Sequence, residues 1–203
     1  MNYIHDYFII ESLNKEDIKD GKIFFNSLKS LNKYEPTYIE VKNRLEFEKA
    51  IINFSKSNYK NLFISSHGDE ENIILLNENF NAYDLLDLNI DLSKKRIFMS
   101  TCKGGSFILA KYFIKKKAYS VVGSPDILPQ ITAVGMWTTM IIIFEKLHKE
   151  NTDFKKLDKT LLLLSKIYEI KLSYFSFVRN KKLIMKEYLY DGSNLKKRSN
   201  HEI

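Results

Sequence analysis

Two stretches decide how this chain folds. One is Asn61-Leu62-Phe63-Ile64-Ser65-Ser66-His67-Gly68; the other is Arg96-Ile97-Phe98-Met99-Ser100-Thr101-Cys102-Lys103-Gly104-Gly105. Each is an apolar run that ends in two hydroxyl residues, then one reactive residue, with glycine at or soon after it. Short apolar runs bounded by turn residues read as buried strands. If the two are parallel neighbours, His67 and Cys102 emerge together at the carboxyl edge of a sheet, where open α/β sheets place their sites. A thiol beside an imidazole is a nucleophile with its base.

The flanking sequence supports a parallel sheet. Tyr7–Leu13 reads as a strand, Lys15–Leu31 as a helix with Asn14 as its cap, Thr37–Val41 as a second strand and Asn43–Lys56 as an amphipathic helix. With Asn61–Ser66 this is β-α-β-α-β, the pattern of an α/β fold with helices on both faces. Further on, Asn72–Leu76 and Phe80–Ala82 read as a small hairpin and Tyr83–Leu88 as a short helix. Lys95–Ser100 is the strand before Cys102. Lys103-Gly104-Gly105 is a turn into the helix Ser106–Lys116, with Ser106 as its N-cap. Tyr119–Gly123 is a strand, and Ser124-Pro125-Asp126 a loop at the same edge. Helices are expected over Ile127–Glu150, with a break near Pro129 or Gly135, and over Asp153–Tyr174. Lys186–Tyr190 is expected as a last strand. The expected organisation is one domain over 1–192 and a polar, basic, frayed tail over 193–203.

Composition narrows the class. A chain of 203 residues with 44% hydrophobic content can bury a substantial core. The single cysteine excludes an internal disulfide. No basic run opens the chain as in a signal peptide, and the apolar window Ile131–Phe144 is too short to span a bilayer. The expectation is a cytoplasmic protein with no membrane contact. The net charge is +7, and residues 151–203 hold 12 Lys and Arg against 6 Asp and Glu. No aromatic-basic motif or zinc-finger spacing accompanies that charge, so nucleic acid is not expected as a direct partner. His5, His148 and His201 sit in no context resembling that of His67.

The blocks Ser65-Ser66-His67-Gly68 and Ser100-Thr101-Cys102-Lys103-Gly104 resemble the His-Gly and Cys-Gly blocks of the caspase-like (clan CD) cysteine peptidases, and within them the CHAT subgroup. Ala118–Ser124 resembles that group's strand after the nucleophile helix. Trp137 through Phe144, with Leu147 and His148, resembles its next helix, and Tyr188–Gly192 resembles its closing strand. The resemblance implies a three-layer α/β sandwich of about six mostly parallel strands. It implies that Cys102 attacks a peptide carbonyl, that His67 protonates the leaving amine, and that the backbone N–H groups of Gly68 and Cys102 form the oxyanion hole. It implies no metal or organic cofactor. Its compact bacterial members imply a protein substrate and a separate regulatory or sensor protein, as in effectors of antiphage defence.

One departure concerns specificity. Many relatives that cut after basic residues carry an acidic residue two before the cysteine, where this chain has Ser100. Asp126 is the candidate to supply an acidic specificity pocket instead, and Asp69 the candidate to orient His67; each is otherwise an ordinary turn residue. A catalytically inactive binding or signalling module of the same fold is the alternative reading. A cysteine phosphatase is excluded, because Ile108 stands where its phosphate-binding arginine belongs.

Overall fold

The computed structural model of the chain describes residues 7–31, 35–147, 154–177, 182–189 and 201–202. The first strand, β1 (Tyr7–Ser12), is buried along its whole length. It pairs in parallel with β2 (Thr37–Glu40) on one side and with β3 (Asn61–Gly68) on the other. A strand covered on both faces must be apolar at nearly every position, which Tyr-Phe-Ile-Ile satisfies. Next to β3 come β6 (Arg96–Ser100) and β7 (Ser120–Gly123), also parallel. Parallel order then gives way to β8 (Leu172–Phe177), β9 (Lys182–Tyr188) and β10 (His201–Glu202), all antiparallel. The hairpin β4 (Asn72–Ile74) and β5 (Asn79–Asn81) extends from the end of β3.

Helices cover both faces. On one side α1 (Asp20–Ser30), α4 (Gln130–Leu147) and α5 (Phe154–Tyr168) enclose a core with Phe24, Phe63, Phe98, Met136, Trp137 and Tyr174. On the other, α2 (Arg44–Lys56) and α3 (Phe107–Lys115) pack with the hairpin over Phe47, Phe54, Leu62, Ile97 and Phe113. Residues of β3 alternate between these cores: Leu62 and Ile64 go to the second, Phe63 to the first. Mostly parallel strands between two helical layers are the architecture expected from the strand pattern.

Several boundaries differ from expectation. The helix expected from Lys15 starts at Asp20. Asn14 does not cap it; the Asn14 amide donates instead to Asp17 Oδ2 at 2.9 Å. Gly21 lies in the first turn, where a Cβ would stand 2.8 Å from Glu11 Oε1, so glycine lets the helix approach the sheet. Helix α4 begins right after Pro129 and passes Gly135 unbroken. The helix expected over Asp153–Tyr174 stops at Tyr168, and Leu172–Phe177 is a strand. Glu169 takes a positive φ of 52°, which ends the helix, and Leu-Ser-Tyr-Phe-Ser-Phe is rich in residues that suit a sheet. The last long strand is Lys182–Tyr188, earlier than Lys186–Tyr190. In the tail expected to fray, His201 and Glu202 pair with β9. Tyr190, Asp191, Gly192, residues 193–200, His5 and His148 lie outside the described residues. Among the described residues no helix is long and apolar enough to cross a membrane.

Candidate active site

The register of β3 and β6 places the two reactive residues. Ser65 lies opposite Ser100, in parallel strands. Side chains alternate along a strand, so Phe63, Ser65 and His67 share one face. Phe98 and Ser100 share the same face by the same count, and Cys102 follows two residues beyond the end of β6, in the turn before α3. Both series face the α1 and α4 layer, where Phe63 and Phe98 pack and Ser65 and Ser100 bond to Asp20. His67 and Cys102 therefore meet at the carboxyl ends of adjacent strands. They line a common small cleft with Leu13, Asp20, Ser100 and Leu128.

The loops after the strands bring the two backbones together. A Cβ at Gly68 would stand 3.1 Å from the Cys102 carbonyl oxygen and 3.1 Å from Thr101 Cβ. The contact is braced across the loops: Lys103 Nζ lies 3.0 Å from Glu70 Oε1, and Ser106 Oγ donates to the Glu70 carbonyl at 2.6 Å. Ser106 also accepts the Leu109 amide, which makes it the N-cap of α3 as expected. Between Cys102 and α3 the chain turns tightly, with Lys103 at a positive φ of 54°. The turn rests on β7, and a Cβ at Gly105 would lie 2.4 Å from the Gly123 carbonyl oxygen. The amides of Lys103, Gly104 and Gly105 are occupied by the carbonyls of Asp126, Thr101 and Ser124.

Beneath the cleft lies a network of buried polar groups. Asp20 accepts hydrogen bonds from Ser65 and Ser100, and Trp137 Nε1 donates to Ser100 Oγ at 2.8 Å. Ser65 Oγ also lies 3.0 Å from Glu11 Oε1, which accepts the Gly21 amide at 2.7 Å. Ser65 has one proton and two carboxyl neighbours, so full pairing needs a proton on a carboxyl. Asp20 suits that role: burial pushes its pKa up to about 6 against the pull of the two serine bonds, with Glu11 adding to the rise. Position 100, where an acidic residue would have been expected, thus holds a serine bonded to an aspartate from α1. Asp20 was not singled out in the sequence, since nothing in the local pattern of Lys19-Asp20-Gly21 marks a residue that only the packing of α1 carries to Ser100.

Other expected site residues lie elsewhere. Asp126 is absent from the residues lining this cleft; its carboxylate pairs with Lys171 at 3.3 Å, in a neighbouring cleft with Ile127, Glu169 and Leu189. Asp69 does not reach for His67 either. Its carboxylate takes the amides of Glu71 and Asn72 at 2.8 and 2.7 Å and closes its own turn. The carboxylate on His67 is Asp17, with Oδ2 3.0 Å from Nε2. The Cys102 thiol points at the Leu128 carbonyl, 3.8 Å away.

This arrangement of strands has known counterparts. The crystal structure of the Arg-specific cysteine proteinase gingipain R superposes with a TM-score of 0.54 at 15% identity, over 83% of this chain and 43% of that one. The complex of the Porphyromonas gingivalis RgpB pro- and mature domains gives 0.55 at 14% identity, over 82% and 44%. The fold is caspase-like. The chain spans less than half the length of either gingipain chain. No family model and no curated protein matches the sequence.

Proposed function

We propose that this chain is a cysteine endopeptidase built on His67 and Cys102. The observation that carries the reading is that both line one cleft, at the carboxyl ends of the neighbouring strands β3 and β6. In this reading His67 takes the thiol proton as Cys102 Sγ attacks a peptide carbonyl carbon. The oxyanion that forms is met by the backbone N–H groups of Gly68 and Cys102, whose backbones already approach closely. His67 then passes its proton to the leaving amine, the C–N bond breaks and a thioester remains. Water, deprotonated by His67, hydrolyses the thioester and restores the thiol. No step needs a metal or organic cofactor.

The cleft also suggests a preference. Above about pH 6, where Asp20 loses its proton, its charge at the base of the cleft beside Ser100 favours a basic side chain on the acyl side of the cut bond. Arginine specificity, stated for the gingipain neighbour, fits the same chemistry. Asp126 then belongs to the surroundings of the substrate rather than to this pocket. The subgroup resemblance, an effector role such as antiphage defence, and activation by a separate protein or by self-association belong to the same proposal. They rest on the resemblance of the two sequence blocks.

The test is mass spectrometry of a proteome digest with wild type and with Cys102→Ala, repeated with His67→Ala. Cleavage products clustered after Arg or Lys, and lost in both variants while circular dichroism stays unchanged, are the expected result. A Cys102→Ala protein that still cuts overturns the reading. The alternative, a binding or signalling module, is favoured by the contact of the Cys102 thiol with the Leu128 carbonyl. Slow alkylation of Cys102 by iodoacetamide at neutral pH, with no cleavage under any condition, would support it.

A further inference from the structure

A row of polar side chains crosses four adjacent strands of the sheet. Glu11 of β1 lies opposite Glu40 of β2 on one side and Ser65 of β3 on the other, and Ser65 lies opposite Ser100 of β6. The row starts at the β2 edge, where Glu40 is exposed, and ends beneath the cleft that Asp20 and Ser100 line. Its links are continuous. Tyr38 Oη lies 2.7 Å from Glu40 Oε1 and 2.5 Å from Glu11 Oε2. Glu11 Oε1 lies 3.0 Å from Ser65 Oγ, and Asp20 bonds Ser65 with one carboxyl oxygen and Ser100 with the other. Glu11 and Ser65 are fully buried. Ile9, two residues before Glu11 on the same face, shows what packing alone asks of such a position. A buried carboxyl is costly unless donors meet it, and at Glu11 the Tyr38 hydroxyl, the Ser65 hydroxyl and the Gly21 amide, at 2.7 Å, all do.

We infer that Ser65 is a proton relay between Asp20 and Glu11, and that Glu11 takes the Asp20 proton when a cationic side chain enters the cleft. The relay rests on the proposed preference of the cleft for a basic side chain. A hydroxyl has one proton and two lone pairs, so Ser65 bonds both carboxyls only by donating to one and accepting from the other. With the proton on Asp20 Oδ1, Asp20 donates to Ser65 and Ser65 donates to Glu11. When a cation arrives beside Asp20, the Asp20 O–H bond breaks as a new one forms to Ser65 Oγ, and the former Ser65 proton passes to Glu11 Oε1. Asp20 becomes a carboxylate and Glu11 a carboxylic acid, while Ser65 changes only the direction of its hydroxyl. The arriving side chain closes the cleft side of Asp20, whereas the Glu11 side stays linked to the surface at Glu40 through Tyr38. The other titratable groups facing the row are Lys22 of α1, with Nζ 4.4 Å from the Tyr38 ring centroid, and His67 and Cys102 across the cleft.

The test uses NMR on the full chain, 13C-labelled at the side-chain carboxyls of Asp and Glu, with agmatine as the cation. At pH 5, agmatine is expected to move the Asp20 carbon to its carboxylate position and the Glu11 carbon toward its carboxylic-acid position. In Ser65→Ala the Asp20 carbon alone should move, and Ser65→Thr, which keeps the hydroxyl, should restore the Glu11 response. Affinity gives a second readout. Without a relay the proton must leave, so a carboxyl that titrates at about pH 6 weakens agmatine binding about 10-fold between pH 7 and pH 5. Ser65→Ala is expected to show that loss in full and wild type a smaller one; His67 and Cys102 are common to both chains. Should Ser65→Ala fail to fold, the wild-type Glu11 signal decides by itself. Agmatine binding with a Glu11 carbon that stays in place overturns the relay and leaves the basic preference standing. No agmatine binding at pH 7 overturns the basic preference and the relay with it.

Discussion

At the scale of single residues, Asp20 sets two properties against each other. Its folded pKa, about 6, lies above the ordinary value of 3.8. Between those values the folded chain binds more protons than the unfolded one, so its contribution favours folding at low pH. That contribution is full below about pH 4 and is lost as pH rises through about 6. The shift corresponds to about 3 kcal/mol of cost at neutral pH, as an upper bound. Asp20→Asn keeps the size, accepts from Ser100 and donates to Ser65, and carries no charge. The variant's stability advantage over wild type should therefore grow between pH 4 and pH 7, as read from urea midpoints. A constant difference across that range would show that Asp20 is not the titrating group. The same substitution should reduce kcat/KM on Arg or Lys peptides roughly 10–100-fold relative to neutral ones, the weight of one charged hydrogen bond. In wild type the preference for a basic residue should sharpen as pH rises through about 6.

At the scale of elements, the segment between β6 and α3 holds Cys102 in place through two devices. One is the helix cap. Ser106→Ala removes both the bond to the Leu109 amide and the bond to the Glu70 carbonyl. It should cost about 1–2 kcal/mol in chemical denaturation and loosen the loop that follows His67. The other device is the backbone contact with β7. Gly105→Ala would set a methyl group against the Gly123 carbonyl, where nothing flexible can yield. The expected outcome is a loss of at least about 2 kcal/mol together with loss of cleavage, measured by thermal unfolding and peptide assay. By contrast, Lys103–Glu70 is a surface pair, with side chains 39% and 62% exposed. Its removal should change stability by less than about 1 kcal/mol. The cap at Ser106 and the turn at Gly104-Gly105 were legible in the sequence because capping and turn chemistry are local. The end of α5 was less legible. Its apolar spacing continues past Tyr168 into Leu172 and Tyr174, and the break rests on the backbone at Glu169.

At the scale of the whole molecule, the antiparallel strands complete a sheet that the parallel strands leave open. β8 pairs along β7 from Ser120 to Gly123, and Leu172, Tyr174 and Phe175 are buried there. A chain ending at residue 170 would expose the β7 edge beside Gly105 and uncover both cores. It should aggregate, because an unpaired apolar edge recruits other strands; size-exclusion chromatography of the truncated chain would test this, and a soluble monomer would contradict it. Hydrophobic patterning by itself determined the βαβ order, the two-faced burial and the matching strand ends of His67 and Cys102. Side-chain period and strand order reside in neighbouring residues, so one chain suffices to read them. Only the tertiary structure decided what surrounds that pair. Asp20 lies 80 positions before Ser100, and Asp17 lies 50 before His67. Their meeting depends on how α1 and α4 pack against the sheet, and no local pattern records it. The same holds for Asp126 and Asp69: their neighbours in sequence made them candidates, and their partners in space, Lys171 and the Asn72 turn, took them away from the cleft.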